Sequence, residues 1–245
     1  MTILNKVREE FRKLVKNHKL YNEKVEIKMK PLKPEEAIGY PQRNDFPLLQ
    51  GKEVLIQAEF KGAKGQAYTD EPFVFSGTVN KILEMELDNN RERALFISAL
   101  NAILRYLNLI DNSIHCKDNE PEECANEIVD YISENFSIKK ITLVGMQPAF
   151  AEAFINKFGP NSIEILDLNI KNFDKIFNGV KIKNSKIFLK KIVPRSDLVV
   201  ATGSTIVNDT IDDIIKLSKN YIFYGTTIAG AAKLLNLKRF CFKSH

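Results

Sequence analysis

Tryptophan is absent from the 245 residues, and cysteine and histidine occur only three times each. Cys116, Cys124 and Cys241 cannot all pair with one another, so no disulfide framework is expected. An odd, sparse set of thiols fits a reducing, cytoplasmic setting. Metal-ligand spacing is missing as well. There is no CxxC and no HExxH, and the histidines stand far apart at His18, His115 and His245. His115-Cys116, with Cys124 beyond, is the one local cluster and is expected as loop and helix surface. No stretch approaches the roughly 18 apolar residues of a membrane span, and no apolar core of signal-peptide length follows the charged start. Charge of one sign is also scarce. Lys+Arg is 36 and Asp+Glu 31, a net +5. That is too weak an excess to argue for nucleic acid or an acidic membrane as partner.

What is present is ordinary globular composition, 44% hydrophobic and 27% charged. Residues 3–18 carry Ile3, Val7, Phe11, Leu14 and Val15 on one face and predict an amphipathic helix. Residues 24–38 alternate Val25, Ile27 and Met29 against charge until Pro31 and Pro34 interrupt. Residues 39–46 are expected as loop, 54–60 as a strand, and Gly62 with Gly65 as a tight connection to a strand near Gln66. Residues 70–80 read as loop or short strand. Residues 91–108 form the strongest helix of the first half, apolar nearly all round. Arg91, Ser98, Asn101 and Arg105 make its one polar stripe, either a wet face or the wall of a cleft.

The polar stretch 109–120 marks the boundary between halves, which gives domains 1–112 and 113–245. Beyond it, short apolar runs at 140–144, 163–168, 198–201, 221–224 and 239–242 alternate with helices at 121–135, 149–158, 211–219 and 228–236. Five such strands imply βαβ crossovers and a parallel sheet covered on both faces. Residues 171–193, rich in Lys and Asn, stay uncommitted between strand, helix and loop.

In such a sheet, ligands bind at the carboxyl ends of the strands. Four ends carry suitable turns. The first is Gly145-Met146-Gln147-Pro148, with one glycine where a dinucleotide fingerprint wants three. The second is Asp167, 22 positions after Gly145, either a loop or cap residue or the acid that holds a ribose. The third is Thr202-Gly203-Ser204-Thr205 with Asn208, hydroxyls and an amide suited to an anion or a polar small molecule. Thr210 with Asp213 has capping-box spacing. The fourth is Gly225-Thr226-Thr227, one Thr of which is expected to cap the next helix. No Ser/His/Asp or Cys/His nucleophile set assembles from these pieces. His245 is expected to end a frayed tail.

The runs ITLVGMQPAF (141–150), ILDLN (165–169), SDLVVATGSTIVNDTIDDII (196–215) and YIFYGTTIAGAA (221–232) resemble a Rossmann-like family described as a putative heavy-metal chelation domain of unknown function. GQAYT (65–69) and RERALFISALNA (91–102) are similar to the enolase amino-terminal-like domain that precedes it there. The resemblance implies an α/β protein in which a Rossmann-like, three-layer parallel-sheet domain follows a smaller α+β domain. The ligand cleft would lie between them, with Gly145, Asp167, Gly203, Ser204, Thr205, Asn208, Gly225 and Thr226 along it and the helical stripe on its far wall. The sequence departs from the family where Asp209 replaces a glycine, and by stopping soon after the last strand. A hard cation held by Asp167, Asp209 and hydroxyls is the easiest metal chemistry of these turns, since soft sites need Cys and His. The expected function is binding of a small molecule or metal in that cleft, in metal or cofactor homeostasis. The alternative is an enzyme using a dinucleotide or S-adenosylmethionine. A scaffold whose long apolar helix makes a homo-oligomer is a third reading.

Overall fold

The computed structural model describes residues 1–21, 27–50 and 54–245, with the backbone alone for 27–29. The chain runs α1 (Ile3–Asn17), β1 (Ile27–Pro31), α2 (Pro34–Ile38), β2 (Val54–Phe60), β3 (Ala63–Thr69), β4 (Phe75–Gly77), α3 (Val79–Leu83) and α4 (Asn90–Tyr106). After the connecting stretch come α5 (Glu120–Asn135), β5 (Ile141–Val144), α6 (Pro148–Phe158), β6 (Ile163–Asp167), β7 (Ile176–Phe177) and β8 (Val180–Asn184). The chain then forms α7 (Ser185–Ile192), β9 (Leu198–Thr202), α8 (Ile211–Leu217), β10 (Tyr221–Tyr224), α9 (Ala229–Leu235) and β11 (Arg239–Phe240). Val25 of the expected first strand lies outside the described residues.

The amphipathic start behaves as its pattern demands. Thr2 caps α1 by accepting from the Asn5 amide, and Ile3, Leu4, Val7, Phe11 and Val15 are buried. β2 and β3 form a hairpin over Lys61-Gly62, both at positive φ (48° and 83°). That is the twist a two-residue turn needs. Gly65, expected in this connection, lies inside β3 instead. A Cβ there would stand 2.1 Å from the Ala102 amide nitrogen, so its hydrogen lets strand and α4 backbone touch.

The four strands of the first half pair antiparallel in the order β3-β2-β1-β4. The seven strands of the second form a sheet ordered β11-β10-β9-β5-β6-β8-β7, parallel except for the β7–β8 hairpin. The five strands read from sequence are all present. The sixth and seventh, β7 and β8, with α7, occupy the uncommitted stretch. Only Val180 and Ile182 of β8 are buried, with lysines between and after them, so the apolar signal is thin. The direction of winding reverses between β5 and β9, the switch point where a crevice opens in a doubly wound sheet.

Two apolar cores flank this sheet, and each takes residues from both sides of position 112. One joins Val7, Phe11, Phe60, Phe96 and Leu100 with Val199, Ala201, Phe223 and Ile228. The other joins Ile38, Phe46, Leu48 and Leu55 with Ile128, Phe150, Phe154, Leu198 and Val200. α4 belongs to the first of these cores. Its side chains from Arg93 to Leu104 are all buried. Six of them, Leu95, Phe96, Ile97, Leu100, Ile103 and Leu104, bury roughly 9–18 kcal/mol gross at about 1.5–3 kcal/mol each. That matches the whole net stability of an ordinary domain, about 5–15 kcal/mol.

The polar stripe of α4 is neither of the alternatives read from sequence. Arg91 is exposed, but Ser98 and Asn101 are fully buried between the two halves. The tail is not frayed either. Ile114 and His245 exchange both backbone hydrogen bonds, Arg105 donates to the His245 carbonyl at 2.7 Å, and Lys243 pairs with Glu123 and Glu127.

Candidate functional site

Four strand ends of the parallel sheet open into one cavity of about 140 Å³. One water needs about 10–15 Å³, so the space holds a small ligand or several waters. Gly145, Met146, Asp167, Thr202, Gly203, Ser204, Thr205, Asn208, Gly225, Thr226 and Thr227 all line it. Asn101, the twelfth residue expected there, does not.

The first turn follows β5. Gly145 sits at φ +94°, where a Cβ would meet Thr202 Cγ2 at 2.6 Å. Gln147 caps α6 by accepting from the Phe150 amide, and Pro148 takes the first helical position as its ring prefers. The second turn follows β6. Asp167 is 8% exposed. Its Oδ2 accepts from the Met146 amide at 2.7 Å and its Oδ1 from the Asn169 amide at 2.5 Å, with the Asn172 side-chain amide at 3.4 Å. The carboxylate thus ties the first turn to the second and has little capacity left for a ribose.

The third turn is a 3-10 helix, Gly203–Ile206, after β9. Thr205 Oγ1 donates to the Thr202 carbonyl at 2.9 Å, and Thr202 Oγ1 lies 3.2 Å from Ser204 Oγ. This is a hydroxyl pair, not a nucleophile with a base. Thr210 does not cap α8. Its hydroxyl donates to Asn208 Oδ1 at 2.7 Å and its backbone is already helical, at φ −106° and ψ −5°. Nor does either threonine of the fourth turn cap α9, whose first flanking residue is Ile228. Thr227 Oγ1 instead accepts from the Tyr68 amide of β3 at 3.1 Å. Thr226 is 1% exposed, and its Oγ1 has no hydrogen-bond partner among the described residues.

Asn101 holds this fourth turn from behind. Its amide donates to the carbonyls of Gln66, Thr226 and Thr227 at 2.9, 3.2 and 3.1 Å, and its Oδ1 accepts from the Gly230 amide at 2.7 Å. It is a positioning residue inside the seam, not a ligand-facing one. Arg93, which the sequence reading missed, braces the third turn likewise by donating to the Val207 carbonyl at 2.5 Å. A weak signal was there: Arg93, Asn101 and Arg105 lie on one every-fourth-residue row of the helix, which Ile97 interrupts.

The opposite wall comes from elsewhere in the chain. Phe46, Pro47 and Leu48 face the cavity beside Ile38 and Tyr68. Arg43 holds this stretch down by pairing with Asp45 and with Glu152 of α6. Asp118 accepts from the Tyr40 amide at 2.8 Å. His115, Cys116, Cys124 and Cys241 also line the cavity. The expected loop-and-helix surface is therefore interior wall, and thiols spread over 125 positions of sequence share one space. Burial pushes His115 down to about 4 and Cys124 up to about 12, and raises Cys116 further still. His115, Cys116 and Cys124 are therefore neutral at pH 7. Asp209 is exposed and lies outside the cavity, against the start of α1, so it cannot share a cation with Asp167. Among the described residues, no three His, Cys, Asp or Glu side chains stand together so as to hold a metal ion.

Residues 127–235 match the model of the DUF364 family, described as "Putative heavy-metal chelation". That span runs from within α5 to the end of α9 and includes all four turns. It leaves out the thiols, His115 and the wall from the first half. The fold is similar to that of a DUF364 protein of unknown function from Pyrococcus horikoshii, at 19% identity and a TM-score of 0.56 over 92% of this chain and 79% of that one. It is also similar to a DUF364 protein of unknown function from Desulfitobacterium hafniense DCB-2, at 15% identity and a TM-score of 0.51 over 74% and 72%. At such identities the likeness concerns the fold alone. No curated protein matches.

Proposed function

We propose that the protein binds a small molecule in the cleft between residues 1–112 and 113–245, in metal or cofactor homeostasis. The observation that carries this reading is the meeting of four strand-end turns, at the point where the sheet reverses, with a largely apolar wall from the other half. The strand order β8-β6-β5-β9-β10-β11 supports a Rossmann-like second domain, and the antiparallel sheet backed by α4 supports an enolase-like first one. Heavy-metal chelation is the reading of the matched family. The side chains fit a bare ion poorly, because no three ligands converge. Free thiols support a cytoplasmic site of action, and the net charge of +5 gives no support to a nucleic-acid partner.

A nucleotide-using enzyme is the weaker reading. Asp167 stands where a ribose acid would, but both of its oxygens are engaged by backbone amides. Calorimetry and native mass spectrometry against Co²⁺, Ni²⁺ and Zn²⁺, alone and as histidine complexes, together with nucleosides, test the proposal. Binding of an organic component at one per chain is expected, weakened about tenfold or more by Ser204→Leu, which fills the cleft. Binding that Ser204→Leu leaves unchanged would remove the cleft from consideration.

A further inference from the structure

Charge is unevenly spread along the chain. Residues 170–195 hold seven lysines and Arg195 against a single acid, Asp174, a net of +7. The whole chain carries +5, so everything else sums to −2 and the total hides the asymmetry. All of these cations except Lys183 are exposed. Lys181, Lys183 and Lys190 pair with Asp174, Glu164 and Asp213, and the other five make no ion pair among the described residues. The same segment holds the three exposed isoleucines of the described chain, Ile170, Ile176 and Ile187, at 76, 73 and 57%.

The fold gathers these residues on one side of the sheet. β7 and β8 form its outer edge. Ile176 is in register with Lys181, so both point to the same side of that hairpin. Lys183, two residues on, is in register with Leu166, which packs in the same core as Leu189 and Val193, so that side is the one α7 covers. α7 turns Leu189 inward and Lys186, Ile187, Lys190 and Lys191 outward. Lysines alone would protect an unpaired sheet edge. Isoleucines set among them undo that protection, and an edge of this composition calls for a cover.

We propose that this face is a peripheral docking surface for an anionic lipid bilayer, independent of what the cleft binds. The lysine ammonium groups meet anionic headgroups, while Ile176 and Ile187 enter the interfacial layer. Each lysine near such a surface is worth roughly fivefold in partitioning. A nucleic acid fits less well. The segment has one arginine, and its rings Phe173, Phe177 and Phe188 are all partly buried rather than free to stack on bases. Asn172 and Ser185 of the same segment line the cavity, so docking brings the bilayer beside the cleft.

Sedimentation of the full chain with vesicles tests this. Vesicles of phosphatidylcholine and phosphatidylserine are expected to bind it at least about tenfold tighter than phosphatidylcholine alone, and to release it as salt rises from about 0.1 to about 1 M. Lys186→Glu/Lys190→Glu/Lys191→Glu should weaken that binding about a hundredfold or more. Lys186→Gln/Lys191→Gln breaks no ion pair and should weaken it at least about tenfold, which keeps the test decisive if the triple variant folds poorly. Ile176→Ser/Ile187→Ser should weaken it about tenfold while the melting temperature stays within about 3 °C of the parent, because both side chains are exposed. Equal binding to the two kinds of vesicle, binding that persists in high salt, or unchanged binding in the glutamine or serine variants would each overturn the proposal. Duplex DNA or poly(U) that binds in a manner sensitive to the glutamine variant, while the anionic vesicles do not bind, would assign the face to nucleic acid and overturn it as well.

Discussion

Asn101 spends its whole side chain on backbone groups of other elements, three carbonyls and one amide. Removing it strands buried polar groups, each worth about 1–3 kcal/mol. Asn101→Ala should therefore lower stability by about 2–4 kcal/mol in urea titration, far more than a surface substitution. Asp209 is the opposite kind of position. It is exposed and sits at φ +60°, where glycine is at ease and aspartate is tolerated. Asp209→Gly should shift stability by no more than about 0.5 kcal/mol, whereas Asp209→Val should cost about 1–2 kcal/mol in the same titration. His115 makes stability depend on pH. Its folded value of about 4 lies below the ordinary 6.5, so between these values the unfolded chain binds more protons. Stability is full above about pH 6.5 and falls as pH drops toward 4, by at most about 1.4 kcal/mol per unit. His115→Gln should flatten that slope in unfolding titrations run from pH 7 to 4.5, and an unaltered slope would refute the assignment. Glycines, hydroxyls and Asp167 were legible as residues of strand-end turns. The tasks of Asp167 and Thr210 were not, because a turn looks the same in sequence whether its polar atoms face a ligand or each other.

Among the elements, α4 governs the geometry of the site. It meets β3 through Gly65, where backbone approaches backbone, and it holds two of the four turns through Arg93 and Asn101. Gly65→Ala puts a methyl carbon 2.1 Å from the Ala102 nitrogen, far inside van der Waals contact, and no side-chain rotation relieves that. A drop in melting temperature of at least about 10 °C, or failure to fold, is expected in a thermal scan. Gly65→Ser should behave alike. The element pattern was readable wherever burial is one-sided or complete, as in α1, β2 and the five apolar strands. It failed for β7 and β8, whose lysines suit a sheet edge and hide the strand period. It also failed for α2, a single turn after Pro34. The stripe on α4 misled because polarity on a helix signals water only when nothing packs there, and here β3 and α9 do.

At the scale of the molecule, the boundary near residue 112 divides sequence but not apolar packing. Both cores take side chains from each half, so the halves should melt together. Calorimetry of the full chain should show one transition, and two resolved peaks would contradict this. Residues 113–245 produced alone should bind hydrophobic dyes, since the partners of Val199, Phe223 and Ile228 would be missing. That three cysteines and a histidine from separate stretches share one wall could not be read from spacing, because only the closed fold brings them together. The glycine contacts at Gly65 and Gly230 have a kinetic corollary. With the β3 backbone against the backbone of α4 at Gly65, and α9 pressed on the Leu100 and Asn101 side chains at Gly230, no small fluctuation can admit solvent to the amides of α4. In native-state deuterium exchange these protons should be the last to leave, released only when the entire chain opens.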